Sequence, residues 1–347
     1  MNWLLLLLLF IASPAWGYKF ASGSYTGNSA DNRDIVIAST TSPSVTSFQP
    51  DAVFINCDTA SGDLVVSTRD MIAQLGDGAV TPRNGSALLT NVVQAFNATG
   101  FQVGSDNLTN ATGVTCYYMA IADNGGDVAV GHYTSDAADN RTIDISSTSL
   151  GGIADFSPEF VMTINTVSFA SLWHTPAMGG GGDLSCYFTV FACIANAIQS
   201  VNANGFVIGD NVGVNDGSSD VYFYIAIKAV SGSTSAGTYT GNANGDGITN
   251  DNRAVTLPGF LPQFLLIKGD SASRNAAQRY KDNAGDSSFG TSAVTTTDRI
   301  QQFLSNGFEV GTALSANESG VTQYYYALKS VPAAPTTVRR HRPVVIQ

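Results

Sequence analysis

Charge is scarce in this chain: only 12% of its 347 residues are Asp, Glu, Lys or Arg, and the balance is acidic, at −11. No basic stripe is available to neutralise phosphates, which argues against nucleic acid as a partner. Histidine occurs three times, at His132, His174 and His341, with no metal-like spacing. The four cysteines form no Cys-x-x-Cys pair, which argues against zinc or redox chemistry. No Gly-x-Ser-x-Gly follows a strand-like run, so nothing marks a nucleophile elbow, and the chain is read as non-enzymatic. No segment carries a sustained, capped helical period, and Ala192–Val201 is the nearest approach to one. After the N-terminus no apolar stretch is long enough to cross a bilayer.

What remains is rich in Gly, Ser, Thr and Asn, with 10% aromatic residues, a composition of packed sheet and polar loops rather than of disorder. The first residues stand apart. Leu4–Leu9, Phe10, Ile11 and Ala12 form a short apolar run, broken at Pro14 and followed by Ala15-Trp16-Gly17. This reads as an export signal over residues 1–17, cleaved before Tyr18, although the run lacks a Lys or Arg ahead of it. The membrane would be touched only through this segment, and only if it stays uncleaved. An extracellular location, secreted or on a virion surface, is therefore expected.

One unit is written three times. Each copy opens on Gly-x-Tyr-Thr followed by Asp-Asn-Arg: Gly23, Tyr25, Thr26 and Asp31–Arg33; Gly131, Tyr133, Thr134 and Asp139–Arg141; Gly237, Tyr239, Thr240 and Asp251–Arg253. Each continues through Pro50, Pro158 or Pro262 into an apolar run. Each closes on Gly-Phe-x-Val/Ile-Gly (Gly100–Gly104, Gly205–Gly209, Gly307–Gly311) and an aromatic run (Tyr117–Ile121, Phe223–Ile227, Tyr324–Leu328). The openings lie 108 and 106 residues apart, a domain-sized period far longer than a solenoid unit. Asn204-Gly205 and Asn306-Gly307 before alternating apolar residues predict hairpins. The expectation is an all-β chain of three tandem, jelly-roll-like β-sandwich domains over residues 18–124, 125–230 and 231–331, with a flexible basic tail over 332–347. The short joins, near Asn124–Gly126 and Val230–Ala236, predict a stiff rod of these units. Cys57 and Cys116 fall on predicted strands of copy one, and Cys186 and Cys193 lie close together in copy two; an exported chain could pair them so, but spacing does not fix connectivity.

Gly-x-Tyr-Thr-Gly-Asn, Pro-x-hydrophobic-Ile-Lys, Gly-Phe-x-Val-Gly and Tyr-Tyr-x-Ala-x-Lys together resemble a repeat module of tail-fibre-like structural proteins of tailed bacteriophages. Copy three carries the match at Gly237–Asn242, Gln263–Lys268, Gly307–Gly311 and Tyr324–Lys329, and the other copies follow in outline. The resemblance implies a virion-surface or adhesion role, with no catalytic residues. A homo-trimer is expected of a fibre protein.

Several residues are candidates for ligands. The thrice-repeated Asp31/Arg33, Asp139/Arg141 and Asp251/Arg253 could bind a sugar or a cation while the Arg holds a ligand carboxylate; the favoured reading is an Asx-turn whose Arg bridges loop to sheet. Trp173-His174, beside Gly179–Gly182 in copy two, reads as an aromatic platform for a sugar ring or as a loop packing its Trp inward. A cell-surface glycan or host receptor is the expected partner, and a secreted lectin-like protein is the alternative function. No cofactor is expected, with calcium at Asn242, Asn244 and Asp246 as the one candidate; Arg253 stands where that loop type has a bidentate acid. Six Asn-x-Ser/Thr sequons begin at Asn84, Asn97, Asn107, Asn110, Asn140 and Asn317.

Overall fold

Alternation within the aromatic and Pro-led runs decides the architecture, because both faces of these strands are apolar. In the computed structural model, which describes residues 17–331 except 60–61, 84–86, 167–168, 180–182, 244–251 and 292, the chain is predominantly β, its sheets antiparallel and none closed. The expected signal segment, apart from Gly17, and the basic tail lie outside the described residues.

Each copy contributes one large and one small sheet. In copy one the large sheet runs Lys19–Thr26, Thr115–Ala122, Ala52–Cys57, Val65–Thr68, and the small one Arg33–Val36, Gly100–Val103, Val93–Asn97. In copy two the large sheet is ordered Val128–Thr134, Val221–Lys228, Pro158–Asn165, Leu172–His174, Cys186–Tyr187. In copy three it is ordered Thr234–Thr240, Thr322–Leu328, Phe264–Gly269, Ala277–Tyr280, Ser288–Gly290, Ala293–Thr296. The small sheets of copies two and three repeat the order of the first, around Gly205–Ile208 and Gly307–Val310. Ile198–Asn202, which overlaps the end of the segment nearest to a helical reading, is a strand. Cys57 sits opposite Cys116 on paired strands and is bonded to it, and Cys186 is bonded to Cys193.

Between the two sheets of each copy lies a separate apolar cluster. In copy one it holds Val53, Ile55, Phe101 and Tyr118; in copy two, Val161, Phe206 and Tyr224; in copy three, Leu265, Ile267, Phe308 and Tyr325. The alternate residues of the same strands point the other way, and all three copies bury them together. Phe54 and Met119, Phe160 and Ile225, and Leu266 and Tyr326 belong to one shared core. Phe54 packs on Phe264 with ring centroids 5.9 Å apart, Phe160 on Tyr326 at 4.5 Å, and Tyr117 on Phe289 at 5.7 Å. A strand buried on both faces reads as a near-continuous apolar run, as Phe264–Ile267 does.

The rod expected from the short joins is therefore corrected: the copies turn their second apolar faces towards one another instead of stacking end to end. Burial of apolar surface, worth roughly 25 cal/mol per Å2, decides this, since a rod would leave Phe54, Met162 and Leu266 in water. The contacts run in a cycle. Leu88 N–H of copy one donates to Thr166 O of copy two (3.1 Å), Ala276 N–H of copy three to Phe188 O of copy two (2.8 Å), and Leu64 N–H of copy one to Thr291 O of copy three (3.0 Å). Each bond joins the segment after an outer strand of one copy to the loop leaving the Pro-led strand of the next. Such head-to-tail contacts form a ring when they close, as these do within one chain. Tyr18 locks the start of copy one onto copy three by donating its hydroxyl to Ser233 O and Lys329 O (2.8 and 2.7 Å).

One helix of more than a single turn stands out among the described residues, Arg69–Leu75, capped where Thr68 Oγ1 accepts from Met71 N–H (3.1 Å). It carries Asp70 to His132 of copy two, Oδ2 to Nδ1 2.7 Å, across the first inter-copy contact.

Candidate functional site

The repeated opening motif builds the same small assembly in each copy. In copies one and two the strand ending at Thr26 or Thr134 meets the turn carrying Asp-Asn-Arg, and in all three copies the arginine, Arg33, Arg141 or Arg253, donates back to the carbonyl of Thr26, Thr134 or Thr240, at 2.7, 2.6 and 2.5 Å. Each guanidinium lies over the ring of Tyr25, Tyr133 or Tyr239, 5.3 to 5.6 Å from its centroid. The middle Asn is needed for backbone reasons: Asn32 and Asn140 adopt φ of +55° and +59°, where Asn is favoured among residues with a side chain. Asp31 and Asp139 are exposed and accept from Gln94 and Gln199 at 2.8 and 2.9 Å. Asp251 lies outside the described residues.

The Gly of Gly-x-Tyr-Thr is equally structural. A Cβ at Gly23, Gly131 or Gly237 would fall 2.5 to 2.7 Å from the hydroxyl of Tyr118, Tyr224 or Tyr325. Burial raises the pKa of all three of those phenols.

Sequence reasoning missed the centre of the assembly. Asn110, Asn215 and Asn317 are wholly buried, each six residues after the closing Gly104, Gly209 or Gly311. Asn110 Oδ1 accepts from Asn28 N–H (3.0 Å) and Arg33 (2.9 Å), while its Nδ2 donates to Ala30 O and Gly104 O (2.8 and 2.9 Å). Asn317 accepts from Asn242 N–H and Arg253 (3.0 and 3.1 Å), and Asn215 accepts from Asp136 N–H and Ala137 N–H (2.7 and 3.1 Å). The carbonyl of the residue before each Asn receives the Tyr25, Tyr133 or Tyr239 hydroxyl, at 2.7, 2.8 and 2.5 Å. The fixed offset from the closing Gly was the available signal. Two of these asparagines, Asn110 and Asn317, also begin sequons, and both side chains are buried in the folded chain.

Trp173 and His174 are not on a loop surface. They lie on the strand Leu172–His174, 0% and 1% exposed, so the reading of Trp173 as an exposed sugar platform is corrected. The ring stacks on Phe160 (5.9 Å) inside the shared core, because the neighbouring Leu172 is taken by the other face. His174 Nδ1 is 2.7 Å from Leu184 O, and burial lowers its pKa, so it is a neutral imidazole that donates to that carbonyl. Asn244 and Asp246 of the calcium candidate lie outside the described residues. Asn242 is tied by its backbone to Asn317. Among the described residues no three His, Cys, Asp or Glu side chains converge as a metal site.

Near the Cys186–Cys193 bridge, Phe169, Tyr187, Phe191, Ile194 and Val212 line a cavity of about 470 Å3, with Phe191 43% and Val212 50% exposed. Comparison of the chain with protein-family models, with curated proteins and with solved structures finds no match.

Proposed function

We propose that this chain is a non-enzymatic surface protein, secreted or carried on a virion fibre, that mediates adhesion or host recognition through three tandem jelly-roll-like β-sandwich modules. One observation carries the reading: the three copies close head to tail around a shared core, which holds the exposed Asp31–Asn32 and Asp139–Asn140 turns on one body. Weak contacts made at Asp31–Asn32 and Asp139–Asn140 add through avidity when the turns cannot move independently. The ring uses its head-to-tail surfaces internally, so a homo-trimer of chains would need a different surface. A secreted, carbohydrate-binding protein is the second reading, supported by the aromatic cavity at Tyr187 and Phe191, where ring faces can stack on a sugar.

The test is to challenge residues 18–347 with immobilised polysaccharides and whole cells while assaying the supernatant for new reducing ends. Retention without release is the expected result. For the second reading, Phe191→Ala should abolish retention on polysaccharide. Catalytic release of oligosaccharide would replace both readings with an enzyme.

A further inference from the structure

The loops of copy three form an open cavity of about 370 Å3 lined by Arg274, Asn275, Gly290, Arg299 and Ser315 among others. Arg299 precedes the strand Ile300–Leu304, and its guanidinium lies flat over Gly290: a Cβ there would be 3.2 Å from Nη1 and 3.4 Å from Cζ. Nη1 is shut off from solvent with no hydrogen-bond partner, and no ion pair involves Arg299 among the described residues. Burial lowers its pKa, with no carboxylate offsetting the effect. An uncompensated, largely buried cation is costly.

Nothing in the fold demands that cost. Gly104 and Gly209 donate their N–H to the carbonyls of Val92 and Ala197, and Gly311 makes the same bond to Arg299 O. The position is thus a buried apolar residue in copies one and two and a cation only in copy three. The carboxylates that could compensate it are engaged elsewhere. Asp298 accepts from Thr312 N–H (3.0 Å) and from the Thr312 hydroxyl, and Asp286 accepts from Asp298 N–H (3.1 Å). Glu318 Oε2 lies 3.6 Å from Nε of Arg274. Arg274 is held in place from beneath: the buried Lys268 Nζ donates to Arg274 O (2.7 Å) and Ser271 O (3.1 Å).

From this we infer that the cavity binds a small ligand carrying one oxyanion, a carboxylate or a phosphate, on a polar body about the size of a monosaccharide. Arg299 and Arg274 grip the oxyanion through the planar guanidinium fork, and Asn275 and Ser315 hydrogen-bond to the body. This site is independent of the aromatic cavity of copy two and of the function proposed above.

Calorimetric titration of residues 18–347 with glucuronate, glucose 6-phosphate, inorganic phosphate and glucose tests it. Glucuronate or glucose 6-phosphate should bind at millimolar concentration or below and glucose should not; which acid binds more tightly identifies the source of the oxyanion. Arg299→Ala should weaken that binding by about tenfold or more, the loss of one charge-assisted contact, while its melting temperature stays level or rises, since Ala already occupies the position in copy two. Arg274→Ala, on a surface loop, should weaken binding in the same direction and gives a second reading of the site. Absence of binding by both acids, or Arg299→Ala and Arg274→Ala variants that bind like the parent, overturns the inference. Inorganic phosphate binding as tightly as either acid would overturn the part assigned to Asn275 and Ser315.

Discussion

The Arg253 turn and the Arg299 cavity lie in the same copy, yet their arginines are spent differently. Arg253 donates to Thr240 O and Asn317 Oδ1 and covers Tyr239, and the same contacts to a threonine carbonyl and a tyrosine ring recur at Arg33 and Arg141. Arg299 Nη1 has no hydrogen-bond partner among the described residues, and the residue's counterparts are Val92 and Ala197. In a chain with internal repeats, a residue present in every copy and fully bonded is accounted for by the fold. One present once, at a cost to the fold, is not. The repeats act as each other's controls.

Trp173 would break that rule if uniqueness alone were taken as the sign of a ligand site, because copy two alone has it and it is buried in the shared core. Trp173→Ala should lower stability by about 3–5 kcal/mol, the usual cost of emptying a large aromatic site, seen as a large fall in the midpoint of denaturant unfolding. An unchanged midpoint would return Trp173 to the surface.

Lys268 sharpens the comparison as a buried cation that the fold itself uses. Burial and the nearby Arg274 lower its pKa from 10.5 to about 8, against the pull of Asp270 and Glu318. The unfolded chain then holds this proton over a pH range in which the folded chain has released it, so stability rises with pH from about 8 to 10.5 as the charged-lysine penalty is relieved. The full effect is about 3 kcal/mol. Tyr25 and Tyr239, whose pKa burial raises, act in the opposite sense above pH 10, since the folded chain keeps their protons longer. The difference between the parent and Lys268→Met isolates the lysine: unfolding free energies followed from pH 7 to 10 should climb for the parent relative to the variant. Parallel curves would refute it.

The clamp itself gives the smallest of the three effects. Asn317→Ala leaves buried N–H and C=O groups of copy three unsatisfied, worth about 1–3 kcal/mol, and Asn110→Ala should cost a similar amount in copy one. Chemical denaturation of both variants measures it. A cost confined to one copy would show that the three assemblies are not equivalent.

Much of the fold was legible because strand signals are local. Pro-led apolar runs, Gly-Phe hairpins and the aromatic closing strand all appear where Phe264–Gly269, Gly307–Val310 and Thr322–Leu328 form. The candidate sites were less legible. Asp-Asn-Arg could be located from its repetition, but its central partner, Asn317 or its equivalents, stands more than sixty residues further along, among many other asparagines. Trp173 beside a glycine-rich stretch resembles an exposed loop until the register of its strand against Pro158–Asn165 is known, with Met162 opposite Trp173. Arg299 carried no motif at all, and only superposing the hydrogen bonds of Gly104, Gly209 and Gly311 brings it into line with Val92 and Ala197.

The sequence by itself determined the β class, the threefold repetition and the positions of its turns, since these follow from residue periodicity and from the few side chains that tolerate positive φ. Only the tertiary structure decided that the copies close into a ring instead of a rod. Two-sided apolar strands announce that both faces must be covered but not by what, and the choice among covering surfaces depends on contacts between residues up to some three hundred positions apart, as where Tyr18 meets Lys329.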